Sequence, residues 1–236
     1  DEFGLFLIED ACHALGAELE DKKAGNFADI TVFSFHPVKH MTTGEGGMLA
    51  TNNEEFANKL RMLRNHGIQK DIMKSHSKEA GWEYDIRHLG KNYRITDFQC
   101  ALGISQLKRI DSMVEKRNSI AKKYNEAFSN IKEITTPFIK PNIRHAWHLY
   151  TILLNNVDRN RFFKLMKKQN IGVNVHYIPV YRHSYYKERF KFNNKDYPIT
   201  EEIFSKIITL PMYPGMTDDD VTRVINSVKK SLEGLK

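Results

Sequence analysis

A six-residue run, Phe3 to Ile8, that stops abruptly at Glu9 and Asp10 constrains this chain more than any other feature. Successive side chains of a strand point to opposite faces, so an apolar run without polar interruption leaves no face for water. It is expected as a strand buried on both faces of a parallel sheet, with helices covering each side, which selects an α/β architecture. The acids that end it carry the next inference. In open parallel sheets ligands sit beyond the carboxyl ends of the strands, and a carboxylate there is costly unless it meets a cation or several donors. A helix N-cap is the bland alternative for the same position.

Periodicity extends the α/β pattern. Ile30 to Phe35 (ITVFSF) and Gly47 to Thr51 (GMLAT) read as further strands. A helix follows, with Asn53 as N-cap, Phe56, Leu60 and Leu63 on one face, and Gly67 where a C-cap glycine belongs. Gln69 to Lys91 is polar with scattered aromatics (Trp82, Tyr84) and is expected as a surface excursion. Thr96 and Gln99 form a capping box for one long helix whose stripe runs Leu107, Ile110, Val114, Ile120, Tyr124, Phe128 and which links two domains. Beyond it come a strand at His148–Leu154, a helix at Arg159–Gln169, a strand at Gly172–Ile178 and a helix at Thr200–Ile207. The final helix starts at Thr217 and carries Val221, Val224, Ile225, Val228 and Leu232 on one side. The pattern predicts a large, mostly parallel α/β domain over residues 1–115 and a smaller α+β domain over 116–236. Because the chain starts without Met and enters a strand almost at once, it reads as a stretch of a longer polypeptide.

Composition narrows the function classes. With 236 residues, 41% hydrophobic and 28% charged, the chain has the makings of a folded core. No apolar run approaches the ~20 residues of a membrane helix, and no secretory signal is visible. The two cysteines, Cys12 and Cys100, make no CxxC pair, so a cytoplasmic setting is expected. The net charge of +7 would suit nucleic acid, but the basic residues are scattered among acidic ones and no aromatic-basic reader motif occurs. Nucleic-acid binding is a disfavoured rival. Neither GxxxxGK[ST] nor GxGxxG is present, which removes support for nucleotide hydrolysis. His145 and His148 point to opposite faces on approach to a strand, so no metal site is expected.

The chemistry gathers at two strand ends. The first is Glu9-Asp10-Ala11-Cys12-His13; the second is Ser34-Phe35-His36-Pro37-Val38-Lys39, running into Thr42-Thr43-Gly44-Glu45-Gly46-Gly47. A lysine on a glycine-bordered loop is a candidate nucleophile towards a carbonyl compound, although a solvated surface lysine is the commoner case. A pyridinium cofactor needs a carboxylate for its ring nitrogen, a lysine for a Schiff base and a hydroxyl for its phosphate, and Asp10, Lys39 and Ser34 supply all three. Cys12 reads as a small pocket-wall residue, since no oriented Cys-His arrangement is evident.

In order along the chain, EDACHALGA, FSFHPVKHMTTGEGG, RNHG, NYRITD and GVNVHYIPV resemble the PLP-dependent nucleotide-sugar aminotransferases of the DegT/DnrJ/StrS type, which have the aspartate-aminotransferase fold (fold type I). HPVK followed by TTGEGG, together with VHYIPVYR, looks most like the branch serving pseudaminic acid biosynthesis. The resemblance implies pyridoxal 5'-phosphate as cofactor, with Lys39 as the Schiff-base lysine and proton shuttle and Asp10 as partner of the pyridine nitrogen. It implies His13 near the phenolic oxygen, Ser34 on the phosphate, and Asn92 reaching the phosphate of the partner subunit in a homodimer. Arg94 and His176 are candidate contacts for an anionic substrate group, against the commoner roles of salt bridge and strand-end histidine. The implied substrates are L-glutamate as amine donor and a 4-keto-6-deoxy nucleotide sugar as acceptor, with no nucleic-acid or membrane partner. Some relatives carry histidine in place of the lysine and dehydrate sugars; Lys39, followed by His40, favours amino transfer. Relatives also carry roughly another domain ahead of this stretch, so the stretch by itself lacks other pocket walls and is expected to bind cofactor weakly or not at all. A catalytically inactive fragment or partner subunit of the same fold stays as the alternative.

Overall fold

The leading apolar run enters a strand only at its end. In the computed structural model, which describes residues 2–69 and 84–235, β1 covers Ile8–Asp10 and pairs in parallel with β4 (Ile30–Ser34), with Asp10 opposite Val32. The other edge of β4 pairs antiparallel with β5 (Gly47–Ala50), so the sheet order is β1-β4-β5. The burial expected on both faces of Phe3–Ile8 is not found: Phe3, Leu5, Phe6, Leu7 and Ile8 are 56–78% exposed. Two-sided burial requires a layer on each face, and among the described residues β1 has β4 as its sole sheet neighbour. Phe6 makes an edge contact with Phe56 at 5.5 Å between ring centroids. The covered side of β4 is better sealed, where Phe33 packs with Ala11, Phe35 and Met41 in a small core.

Between these strands lies the hairpin of β2 (Glu18–Leu19) and β3 (Lys22–Lys23), whose two turn residues, Glu20 and Asp21, both take positive φ. After β5, Asn53 caps α1 (Glu54–Arg64) by accepting from the Phe56 amide at 3.1 Å. Glu54 and Glu55 in the first turn and Arg61 and Arg64 in the last match the helix dipole. The helix ends at Asn65, and Gly67, with φ +73°, donates back to the Met62 carbonyl at 3.0 Å. Strand β6 (Ile68–Gln69) then pairs with β7 (Asp85–Ile86). Of the expected excursion, residues 70–83, including Trp82, lie outside the described residues.

The single long helix expected after Thr96 is two. The Thr96/Gln99 capping box is present and starts α2 (Asp97–Leu107), but α3 (Ile110–Phe128) begins afresh after Lys108 and Arg109. Arg109 donates to Gln106, a tighter closure than the helical one. No glycine or proline marks that break, so periodicity alone could not reveal it.

The chain divides into two units, Asp1–Asp111 and Ser112–Lys236. In the second, β8 (Ile134–Thr135), β10 (Tyr150–Leu154) and β11 (Ile207–Leu210) form an antiparallel sheet with β10 in the centre; a short strand β9 (Ile143–Arg144) precedes β10. Every second residue of β10 is buried, and Tyr150, Ile152 and Leu154 face the core. There they meet Tyr124 and Phe128 from α3, Phe162 and Met166 from α4 (Arg159–Lys168) and Val221, Val224, Val228 and Leu232 from α7 (Asp218–Glu233). Thr217 caps α7 as its sequence indicates.

One expectation fails here and one strand goes unforeseen. The strand expected at Gly172–Ile178 is reduced to one bridge, Asn174 with Thr209, because the Asn174 side chain accepts from the Val175 amide at 2.8 Å and competes with a ladder. Between that bridge and β11 come α5 (Ser184–Phe190) and α6 (Pro198–Lys206), which matches the helix expected at Thr200–Ile207, and β11 begins at the last residue of that expected helix.

Candidate active site

Strand pairing brings the two strand ends together. Because β1 and β4 run in parallel with Asp10 opposite Val32, both carboxyl ends open on one side of the sheet, and Ser34 is the last residue of β4. The Ala11 amide continues the ladder onto the Val32 carbonyl at 2.9 Å, and the chain then turns, with the Cys12 amide donating to Asp10 Oδ1 at 3.0 Å. The Cys12 thiol and amide both hold the Asp10 carboxyl below the usual carboxylate range, with His13 and Lys39 contributing further in the same direction. Burial and the adjacent Asp10 in turn push the Cys12 thiol up, so it is a proton donor here and no thiolate nucleophile.

Lys39 sits on the loop leaving β4, half-buried, and its charge is felt by both Asp10 and Cys12. The loop is fixed by its own bonds. The Lys39 amide donates to the His36 carbonyl at 3.0 Å, the His36 amide to Ser34 Oγ at 3.4 Å, and the Val38 amide to His36 Nδ1 at 3.3 Å. The return limb is tied down as well: the Phe35 amide donates to the Gly46 carbonyl, and Thr43 Oγ1 to the Glu45 carbonyl at 2.7 Å. Gly46, at φ +153°, and Gly47 allow this close return, since a Cβ on Gly47 would stand 2.9 Å from the Phe33 carbonyl oxygen. Helix α2 braces the loop through Gln99, whose amide nitrogen donates to the Glu45 carbonyl at 2.9 Å.

The structure therefore assembles Asp10, His13, Ser34 and Lys39 at one end of the β1-β4-β5 sheet. Asn92 and Arg94 lie on a second strip of the same unit, where Asn92 bridges to Asn65 and Arg94 Nη1 donates to Asn65 Oδ1 at 2.7 Å. His176 belongs to the other unit. Its Nδ1 lies 2.9 Å from Thr209 Oγ1 and its Nε2 3.2 Å from the Asn174 side-chain nitrogen, a donor, so Nε2 accepts and Nδ1 carries the proton. Burial lowers its pKa, which fits that neutral tautomer.

A sequence model of the DegT/DnrJ/EryC1/StrS aminotransferases matches residues 1–229. The chain belongs to that family. Within it, the chain is 37% identical over 241 residues to the UDP-4-amino-4,6-dideoxy-N-acetyl-beta-L-altrosamine transaminase of Campylobacter jejuni, covering 100% of this chain and 61% of the relative. Spr1654 of Streptococcus pneumoniae, solved in a PMP form, superposes with a TM-score of 0.92 at 30% identity, covering 98% of this chain and 60% of that one. Helicobacter pylori PseC, an aminotransferase involved in the biosynthesis of pseudoaminic acid, gives 0.86 at 31% identity, covering 99% of this chain and 61% of that one. The chain thus spans about three fifths of the length of the proteins it matches, and its fold is that of the aminotransferases in this family.

For a family member, the strand-end carboxylate, loop amine and strand-end hydroxyl form a donor set suited to a pyridinium ring bearing an aldehyde and a phosphate. An exposed carboxylate kept ionised is the partner that such a ring nitrogen requires. Sequence reasoning missed two contributors: the Cys12 thiol as donor to Asp10, signalled by the Asp-x-Cys spacing of an Asx turn, and Asn65, which lies within RNHG but whose contact with Arg94 has no signal in the sequence. Among the described residues no helix is long and apolar enough to cross a membrane, and no group of three His, Cys, Asp or Glu is placed to hold a metal ion.

Proposed function

We propose that the full-length protein carrying this chain is a PLP-dependent aminotransferase that moves an amino group from L-glutamate to the keto carbon of a 4-keto-6-deoxy nucleotide sugar, working as a homodimer in surface-glycan or pseudaminic acid biosynthesis. The observation that carries the reading is the placement of Asp10 and Lys39 beyond the carboxyl ends of adjacent parallel strands in a chain of this family. The cofactor supplies an aldehyde carbonyl for the incoming amine and an electron sink for the bond that is broken.

The chain's own residues do the rest. Asp10, held ionised by the Cys12 donors, keeps a ring nitrogen protonated. The Lys39 amine would be the nucleophile that anchors the carbonyl and would serve as the base that holds the proton in transit. Ser34 Oγ and the Asn92 side chain would donate to the phosphate, Asn92 to that of the partner's site, and His13 would hydrogen-bond to the phenolic oxygen. Arg94 is a cation for an anionic substrate group. The internal bonds of His176 leave it a weaker candidate, since both ring nitrogens already have partners.

Changing Lys39→Ala in the full-length protein tests the reading. Turnover with L-glutamate and a panel of 4-keto-6-deoxy nucleotide sugars is expected to fall by a factor on the order of a thousand, while PLP is still retained non-covalently. Turnover at the level of the unmodified protein would remove Lys39 from the mechanism.

A further inference from the structure

We propose that Asn65 is a positioning residue that aims Arg94 at an oxyanion of the substrate, an inference that rests on the aminotransferase reading and extends it to a residue to which that reading gives no role. The geometry begins with the backbone. Where α1 ends, the strip Lys91–Arg94 is laced to residues 63–67: the Lys91 amide donates to the Leu63 carbonyl at 2.7 Å, the Tyr93 amide to the Arg64 carbonyl at 2.9 Å, and the His66 amide to the Lys91 carbonyl at 2.9 Å. These bonds put Asn65 opposite Asn92. The register cannot slip, because the two segments touch through glycines: a Cβ on Gly67 would fall 1.7 Å from the His88 carbonyl oxygen, and one on Gly90 2.0 Å from the Gly67 nitrogen.

Onto this frame Asn65 adds one side-chain contact, the 2.7 Å bond from Arg94 Nη1 to its Oδ1. Arg94 is exposed, and an exposed arginine ordinarily samples many rotamers. The acceptor is a neutral amide oxygen, so it fixes the guanidinium without cancelling its charge, and among the described residues no carboxylate pairs with that group. The remaining N–H donors of the planar fork stay available to a carboxylate or phosphate. A merely structural clamp would be served as well or better by Asp at position 65; a clamp that must leave the cation uncompensated requires Asn.

That difference supplies the test. In the full-length protein, calorimetric titrations with UDP, as the phosphate source, and L-glutamate, as the carboxylate source, are compared for the unmodified protein, Asn65→Ala, Asn65→Asp, Arg94→Gln and the Asn65→Ala/Arg94→Gln pair. Asn65→Ala is expected to weaken one probe about tenfold, equal to ~1.4 kcal/mol. Asn65→Asp should weaken it further while leaving the melting temperature unchanged, and Asn65→Ala should add nothing in the Arg94→Gln background. The probe affected identifies the oxyanion. Restoration of affinity by Asn65→Asp, additive losses in the double variant, unchanged affinities in all variants, or no binding of either probe would each overturn the proposal. Lys39→Ala separates it from the wider reading: coupling between Asn65 and Arg94 in a protein whose turnover ignores Lys39 sinks the aminotransfer mechanism alone, and Lys39-dependent turnover without that coupling sinks the positioning role alone.

Discussion

At the scale of single residues, the arrangement turns on which groups are held charged and which are held neutral. Asp10 is kept ionised by donors from Cys12, two residues on, whereas His145 and His176 in the second unit are pushed towards the neutral form by burial. The His145 ring also accepts the Trp147 amide on Nδ1 at 2.9 Å, a bond that protonation at that nitrogen would remove. Each histidine has a folded-state pKa below the ordinary value of about 6.5, so below that pH the unfolded chain binds protons that the folded chain refuses. Their contribution to stability is therefore complete above about pH 6.5 and is lost as pH falls towards the lowered values. Urea midpoints should hold steady from pH 8 to about 6.5 and decline below it, with His145→Gln flattening part of the decline. Identical profiles for the two proteins would show that His145 is not held neutral. The strand-end positions of Asp10 and Ser34 were legible from sequence because a strand's end is marked by the loss of apolar residues. The Cys12 thiol was not, because its role depends on a turn that brings it back onto Asp10.

At the scale of elements, caps were read correctly and interruptions were not. Thr96 and Thr217 each pair with a side chain three residues on, and both capping boxes are present. Thr217 Oγ1 accepts from the Asp220 amide at 3.1 Å, so Thr217→Ala should cost about 1 kcal/mol in denaturant unfolding. The break after α2 and the loss of the strand at Gly172–Ile178 escaped for different reasons: Ile110 is buried as α3 restarts, a tertiary contact that periodicity does not show, and Asn174 bonds its own neighbour's amide in place of a ladder. Gly67 was read as a helix-ending glycine; its neighbours add a further demand, since any side chain there would collide with the His88 carbonyl. Gly67→Ala is expected to destabilise the first unit by more than ~2 kcal/mol, combining left-handed strain with overpacking, and a loss below ~0.5 kcal/mol would show that the two strips separate readily.

Across the whole chain, the two units differ in how completely they bury their apolar residues. The second has a closed core, in which Phe162, Tyr150 and Val228 are fully buried. Phe162→Ala should cost ~3–5 kcal/mol there, measured by urea unfolding. The first unit exposes Phe3, Leu5, Phe6, Leu7 and Ile8 beside an open strand edge, together with Phe98 and Leu107 on α2. Produced by itself, this chain is expected to associate in a concentration-dependent way, checked by sedimentation velocity; a monomer throughout the micromolar range would contradict that. The apolar run at the front was read correctly as apolar and wrongly as covered, because a sequence reports what a strand needs and its neighbours decide whether the need is met.

The pairing of a loop amine with a strand-end acid is tested most directly by chemical trapping. The full-length protein is mixed with PLP and reduced with borohydride, and the modified peptide is located by mass spectrometry, alongside Lys39→Ala and Asp10→Asn. A pyridoxyl mass on the peptide containing Lys39, abolished by Lys39→Ala and reduced in yield by Asp10→Asn, is the predicted result. Labelling spread over surface lysines and indifferent to both substitutions would contradict the account.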